Sequence, residues 1–184
     1  MIRDILFVIW FFLPAGLANV APIFAAKLPY LKTLTFPLDG YVTFRSKRLL
    51  GEHKTLRGLI SGILVGIFIA SLQVYLYTSI ALVRTFVLID YAAINPIIFG
   101  TLSALGALTG DALKSFFKRQ LDIAPGRSWV PFDQVDYVIG GIVFTAFYLR
   151  LSLFHYLLLL LIWSLLHPLA TCIGYVLKLK DSPI

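Results

Sequence analysis

"GTLSALGALTGDALKSFFKRQLDIAPGRSWVPFDQVD" runs from Gly100 to Asp136. Its opening stretch, Gly100–Thr109, carries no charge, whereas Gly110–Arg119 carries Asp111, Lys114, Lys118 and Arg119. Asp111, Lys114, Ser115 and Lys118 are spaced i, i+3, i+4 and i+7, so a helix presents them on one face. Leu113, Phe116 and Phe117 lie off that stripe. After a polar connection, Asp133 and Asp136 follow Pro131 and open another apolar run. The stretch therefore reads as the end of one buried helix, a loop and the start of the next. Three carboxylates and several cations meet at one end of the pair.

The composition says what surrounds these helices. The chain has 184 residues, a mean hydropathy of +0.89, 59% hydrophobic residues and 14% charged ones. A soluble domain carries about a quarter charged residues, so most of this chain meets lipid or other helices. The expected class is an all-α integral membrane protein, one transmembrane domain over residues 1–184. The net charge is +7 and the pI about 9.6. In a membrane protein that excess belongs first to cytoplasmic loops facing anionic headgroups, so no nucleic-acid partner is expected. One cysteine, Cys172, excludes an intrachain disulfide and argues against a cysteine metal site.

A span needs about 20 mainly apolar residues. Five segments qualify: about Ile5–Ala26, Leu59–Val83, Ala92–Phe117, Val135–Leu149 and Leu153–Leu177. Asp4 beside Arg3 denies the first a signal peptide's positive start, and Pro22 follows its one small-residue cleavage site, so it reads as a retained span. Lys27, Lys32, Arg45, Lys47, Arg48, Lys54 and Arg57 follow span one; Lys118, Arg119 and Arg127 follow span three; Lys178 and Lys180 follow span five. The opposite side holds Arg3, Arg84 and Arg150. The positive-inside rule then sets the N-terminus outside, the C-terminus in the cytoplasm, and loops of about 27–58 and 118–134 on the cytoplasmic face. A multi-pass protein of the cell membrane with its site facing the cytoplasm is the expectation. Gly58, Gly62, Gly66 and Ala70 give span two a small-residue face for close packing. The small residues of span three, Gly100, Ser103, Ala104, Gly106, Ala107, Thr109 and Gly110, mark it as the central, most enclosed helix, and Leu157–Leu161 of span five face lipid.

Asp111 sits about two turns in from the helix exit, where a carboxylate needs a partner or a wet cavity. An Asp111–Lys114 or Asp111–Lys118 ion pair meets that need structurally, and Lys118 and Arg119 can serve as headgroup anchors. Asp133 and Asp136 suit the positive end of a helix after Pro131. That account leaves unexplained why both share one face and one membrane side with Asp111. Three such carboxylates suit Mg²⁺, an oxygen-seeking ion that keeps waters or substrate phosphates, and the cations suit phosphate oxygens. In "LLGEHKTLRG", Leu49–Gly58, the Lys54–Thr55 pair is not a P-loop, because Arg48 and His53 replace the required glycines. Lys54, Thr55, Arg57 and the free N–H groups opening span two can still face an anion. Alternatively, they are positive-inside charge with Thr55 near an N-cap. Asn19 and Pro22 of span one either shape a cavity wall or make a local kink. "PLDG", Pro37–Gly40, reads as a turn, with Asp39 a candidate fourth carboxylate near the site to which no role is assigned. His53 reads as a loop histidine, and His155, His167 and Asp90 need no functional role.

"GEHKTLRG" (Gly51–Gly58), "GDALKSFFKR" (Gly110–Arg119) and "PGRSWVPFDQVDYVIGG" (Pro125–Gly141), with Asn19, Pro22 and "PLDG", resemble the archaeal CDP-archaeol synthase family over most of the chain. Ser115, Lys118, Arg119, Asp133 and Asp136 are more distantly similar to a pattern in the longer bacterial CDP-diacylglycerol synthases. Here "FDQVD" stands in place of their "GG-x-D-R", and Tyr41 after Asp39–Gly40 departs from the archaeal pattern. The resemblance implies transfer of CMP from CTP to 2,3-bis-O-geranylgeranylglycerol 1-phosphate, giving CDP-archaeol and pyrophosphate, with Mg²⁺ as cofactor. Asp111, Asp133 and Asp136 would hold the metal and, with Lys118 and Arg119, carry the chemistry. Lys54, Thr55, Arg57, Lys114, Ser115 and Gln134 would bind CTP and the isoprenoid ether-lipid phosphate, and a side opening lined by small residues of spans two or three would admit the lipid. A CDP-diacylglycerol-type synthase, another lipid-phosphate transferase and a transporter are the alternatives. Oligomeric state is left open.

Overall fold

Backbone polar groups in lipid must be satisfied within their own segment, which leaves helices as the economical form for long apolar runs. The computed structural model describes residues 1–31, 33–124 and 127–176. Each of the expected apolar segments is helical: α1 (Ile2–Ala25), α2 (Leu56–Ser79) with the short α3 (Ala81–Phe86), α4 (Pro96–Gln120), α5 (Phe132–Ala146) and α6 (Leu153–Val176). Lys32, Pro125, Gly126, Leu177, Lys178 and Lys180 lie outside the described residues, as do the side chains of His167 and Cys172. By length and composition α1, α2 and α4 can cross a membrane. The boundaries follow capping chemistry. Asn95 caps α4 by accepting from the N–H groups of Ile97 and Ile98, and Pro96 fills its first turn. The helix therefore starts four residues later than hydropathy alone suggests, after a 3₁₀ turn at Tyr91–Ala93.

The first charged loop departs from the all-α expectation: β1 (Thr43–Phe44) pairs antiparallel with β2 (Lys47–Arg48). The organising group is Asp39, whose side chain is fully buried. Arg48 grips it with Nη2 at 2.6 Å and Nε at 3.3 Å, and the N–H groups of Tyr41, Leu50 and Gly51 donate at 3.2, 3.1 and 3.3 Å. Lys54 and Leu56 are stitched to Leu38 and Phe36 by main-chain bonds of 2.7 and 2.9 Å. The loop is thus fixed to the start of α2.

The core lies around α1. Phe7, Val8, Phe11, Phe12, Ala15 and Ala18 are at most 1% exposed, and α1 packs on α2, α4, α5 and α6. Half of its most apolar window is buried, against a third for α4 (50% and 33%), so α1 is the enclosed helix where α4 was expected to be. Trp163 of α6 anchors it, with its indole N–H donating to Val8 O at 3.1 Å and its ring against Gly16. At the other end, His155 Nε2 lies 3.2 Å from Asp4 Oδ1. The small face of α2 packs as expected. Gly58 meets Pro22, Gly62 meets Ala18 and Leu108, and Gly66 meets Gly100 and Ala104. Those faces are filled by neighbouring helices, so they line no side opening for lipid. On α6, Leu153, Leu157, Leu161, Leu165 and Leu169 recur every four residues and are all exposed, while Leu159 and Trp163 point inward.

The tightest junction is between α4 and α5. A Cβ on Gly110 would lie 2.2 Å from Asp136 O, and one on Gly140 would lie 2.2 Å from Gly106 O. No side chain fits there, so Gly140→Ala must push the helices apart. Overpacking of this kind costs roughly 1–3 kcal/mol. A lowered Tm in detergent for Gly140→Ala, beside an unchanged Tm for the exposed Ile139→Ala, is the expected outcome. Burial between Arg48 and backbone N–H donors gives a second prediction. Burial alone would raise the Asp39 carboxyl, but Arg48 and the N–H groups win and hold it at about 2, below its ordinary 3.8. The stability it contributes is complete above 3.8 and is lost as pH falls through about 2. Asp39→Asn should lower Tm near neutral pH, and its gap from the parent chain should narrow through that acid window.

Candidate active site

The last two turns of α4 face the first turn of α5, and their charged side chains interlock. Lys114 Nζ lies 3.1 Å from Asp111 Oδ1, 3.0 Å from Asp133 Oδ1 and 2.7 Å from Asp136 Oδ2. Lys118 Nζ donates to Asp133 Oδ2 at 3.0 Å and to Arg127 O at 2.7 Å. Lys54, carried in by the first loop, pairs with the second oxygen of Asp111. Asp133 also accepts from Trp129 N–H at the start of α5. Three aspartates from two helices therefore meet three lysines, two from α4 and one from the first loop. Asp136 is 7% exposed and the other five side chains are 11–22% exposed. Two like charges 4 Å apart repel by about 4 kcal/mol at an effective dielectric near 20. The lysines are what make this carboxylate cluster tenable.

Helical spacing and glycine packing bring the set together. Asp111, Lys114 and Lys118 lie on one face of α4, and Gly110 lets the backbone of Asp136 come against it. The Asp111–Lys114 ion pair is present, and Lys118 pairs with Asp133 rather than Asp111. Other expected binding groups are engaged locally. The Thr55 oxygen caps α2 by accepting from Gly58 N–H at 3.2 Å, and the Ser115 hydroxyl donates to Asp111 O at 2.9 Å. Arg57 Nη1 donates to Leu31 O at 2.8 Å. Gln134 Oε1 and Arg119 Nε are buried without a hydrogen-bond partner among the described residues, as is Asn19 Oδ1. Arg119 lies beneath Gly51 of the first loop. His53 is exposed, and Asp39 is taken up by Arg48, so neither joins the cluster.

Sequence reasoning missed the clasp that carries Lys54 to Asp111. Lys47 Nζ bonds Gln120 O at 3.1 Å and Asp122 Oδ2 at 2.7 Å, tying the β1–β2 hairpin to the end of α4. The Phe44 and Phe116 rings meet in a tilted contact across the same junction, with centroids 6.3 Å apart. The excess of lysine near both segment ends was the one available signal, and it does not specify pairing.

The three carboxylates surround an ammonium, not a vacancy. Among the described residues no three acidic, histidine or cysteine side chains close tightly enough to hold a metal as they stand. Their donor chemistry nonetheless fits Mg²⁺. Three hard oxygens point at one cation position, and Asp136 Oδ2 is buried there with only an ionic contact to Lys114, without hydrogen-bond geometry.

The family model described as CarS-like CDP-archaeol synthase matches residues 1–184. A CDP-archaeol synthase of Pyrococcus furiosus is 31% identical over 187 residues, covering 98% of this chain and 99% of its own length. Relatives of the same name from Thermofilum pendens and Methanospirillum hungatei are 31% and 35% identical, over 93% and 74% of this chain and 77% and 82% of theirs. A solved structure described as an intramembrane enzyme for archaeal membrane lipid biosynthesis superposes with a TM-score of 0.69 at 29% identity, covering 90% of this chain and 93% of that one. With a whole-length family match and a shared fold, this chain belongs to the CDP-archaeol synthase family of archaeal lipid biosynthesis.

Proposed function

We propose that the chain transfers CMP from CTP to the phosphate of an isoprenoid ether lipid, 2,3-bis-O-geranylgeranylglycerol 1-phosphate, at the cytoplasmic face of a five-span bundle. The observation that carries this reading is the convergence of Asp111, Asp133 and Asp136 on Lys114, with Lys54 and Lys118 alongside. Contacts of Pro22 with Gly58, Lys54 with Asp111 and Gly110 with Asp136 bring the C-terminal ends of α1 and α4 and the N-terminal ends of α2 and α5 to one end of the bundle. The positive-inside rule assigns that end to the cytoplasm, with the N-terminus of α1 outside.

The chemistry asks for positioning more than for acid or base. A phosphate monoester is largely a dianion near pH 7, its second pKa being about 6. One of its oxygens attacks the α-phosphorus of CTP, and the bond from that phosphorus to the oxygen bridging to the β-phosphorus breaks. The electron pair leaves with pyrophosphate. Two polyanions must be held together and the leaving charge met by cations. Mg²⁺, held by Asp111, Asp133 and Asp136 when bound, would supply charge neutralisation and order at the phosphate oxygens. Lys54, Lys114 and Lys118 are lined up to meet phosphate oxygens. Arg119 Nε and Gln134 Oε1, buried without a hydrogen-bond partner among the described residues, would turn to the substrate.

Purified protein given labelled CTP, Mg²⁺ and the lipid phosphate should release pyrophosphate. Asp133→Asn and Asp136→Asn should each lower turnover by at least about 100-fold, on the scale of losing a transition-state charge contact, while the variants still elute as folded protein in detergent. Full turnover in both would overturn the site assignment.

A further inference from the structure

Lys114 occupies the point on which the three carboxylates converge, at 2.7–3.1 Å from one oxygen of each. It is 14% exposed, so it is held in place and not waving in solvent. Counting formal charges, Asp111, Asp133 and Asp136 give three negatives and Lys54, Lys114 and Lys118 give three positives, so the cluster is neutral without any ion. A divalent cation entering alone would meet a lysine in its place and leave an unbalanced positive cluster in a part-buried site. A divalent cation entering with a polyphosphate brings its own anions, to which the displaced ammonium can turn.

We propose that Lys114 is a built-in placeholder for the metal: its ammonium holds the three carboxylates together in the ion-free protein, competes with free divalent cation, and passes to the nucleotide phosphates when metal and nucleotide arrive together. The proposal rests on the assignment of Asp111, Asp133 and Asp136 to the metal, and adds to it an order of binding and a positioning role for one lysine. It makes the site selective for the metal–nucleotide complex over the metal alone. It also lets the three acids stay folded in place between turnovers.

The test reads metal binding and stability, not turnover. Mn²⁺ binding is followed by electron paramagnetic resonance in detergent, with and without CTP and with no lipid acceptor present. The parent chain should bind Mn²⁺ weakly alone and more tightly with CTP. In Lys114→Met, Mn²⁺ alone should bind at least about tenfold more tightly, because a like charge a few ångströms from the ion has been removed. The gain from CTP should shrink, and Tm in EDTA should fall and be restored by Mn²⁺. Lys114→Arg, which keeps the charge, should stay close to the parent chain in EDTA. Equal Mn²⁺ affinity in Lys114→Met and the parent overturns the placeholder role and leaves the metal assignment standing. No Mn²⁺ binding by either chain, with or without CTP, overturns the metal assignment and the placeholder with it. A Lys114→Met chain that stays unfolded even with Mn²⁺ also contradicts the proposal, since the ion should then do what the ammonium did.

Discussion

The contact of α4 with α5 through Gly106, Gly110 and Gly140 is the constraint on which the rest depends. Backbone meets backbone there, with no room for a Cβ on any of the three. That approach sets the register of the two helices as well as their distance. Asp111 and Lys114 then come opposite Asp133 and Asp136, and one ammonium reaches all three carboxylates. A helix pair held apart by ordinary side chains would give two separate acidic surfaces and no common ion site. Close packing of small residues is how helices associate where lipid removes the hydrophobic drive between them, so the device that holds the fold also assembles the site.

Carboxylates at the end of an apolar bundle are tolerable because each has a cation or a backbone N–H close by. Asp133 has both, through Lys118 and Trp129. The first loop completes the balance. Asp39 fixes the loop internally, Lys47 ties it to the end of α4, and Lys54 reaches Asp111. A lipid-phosphate acceptor keeps its tails in the bilayer while its headgroup reacts with a soluble nucleotide. A charged site where α5 meets the end of the membrane-length α4, roofed by a cation-bearing loop, matches that geometry.

Much of this was legible in the residues. Helical spacing alone put Asp111, Lys114 and Lys118 on one face, and the three-residue step from Asp133 to Asp136 put both on another. The Gly58–Gly62–Gly66–Ala70 stripe announced a tight face, and it is one. What stayed hidden is physically different. The Lys54–Asp111 pair joins residues 57 apart, and no local pattern encodes such a contact. The hairpin has strands of two residues, and its turn puts Arg45 and Ser46 at positive φ without a glycine to signal it. The enclosed role of α1 was masked because an apolar residue facing lipid and one facing protein look alike in composition. Its Ala15, Gly16, Ala18, Ala21 and Ala25 were the overlooked sign, being small residues that are all buried.

As proposed, Asp111, Asp133 and Asp136 hold the metal that accompanies the nucleotide. Anomalous diffraction from crystals grown with Mn²⁺ and CTP tests it most directly. The expected result is an anomalous peak among the three carboxylates, with Lys114 Nζ moved from that point onto a phosphate oxygen. A peak elsewhere in the chain, or none with CTP bound and Lys114 still among the carboxylates, would contradict it.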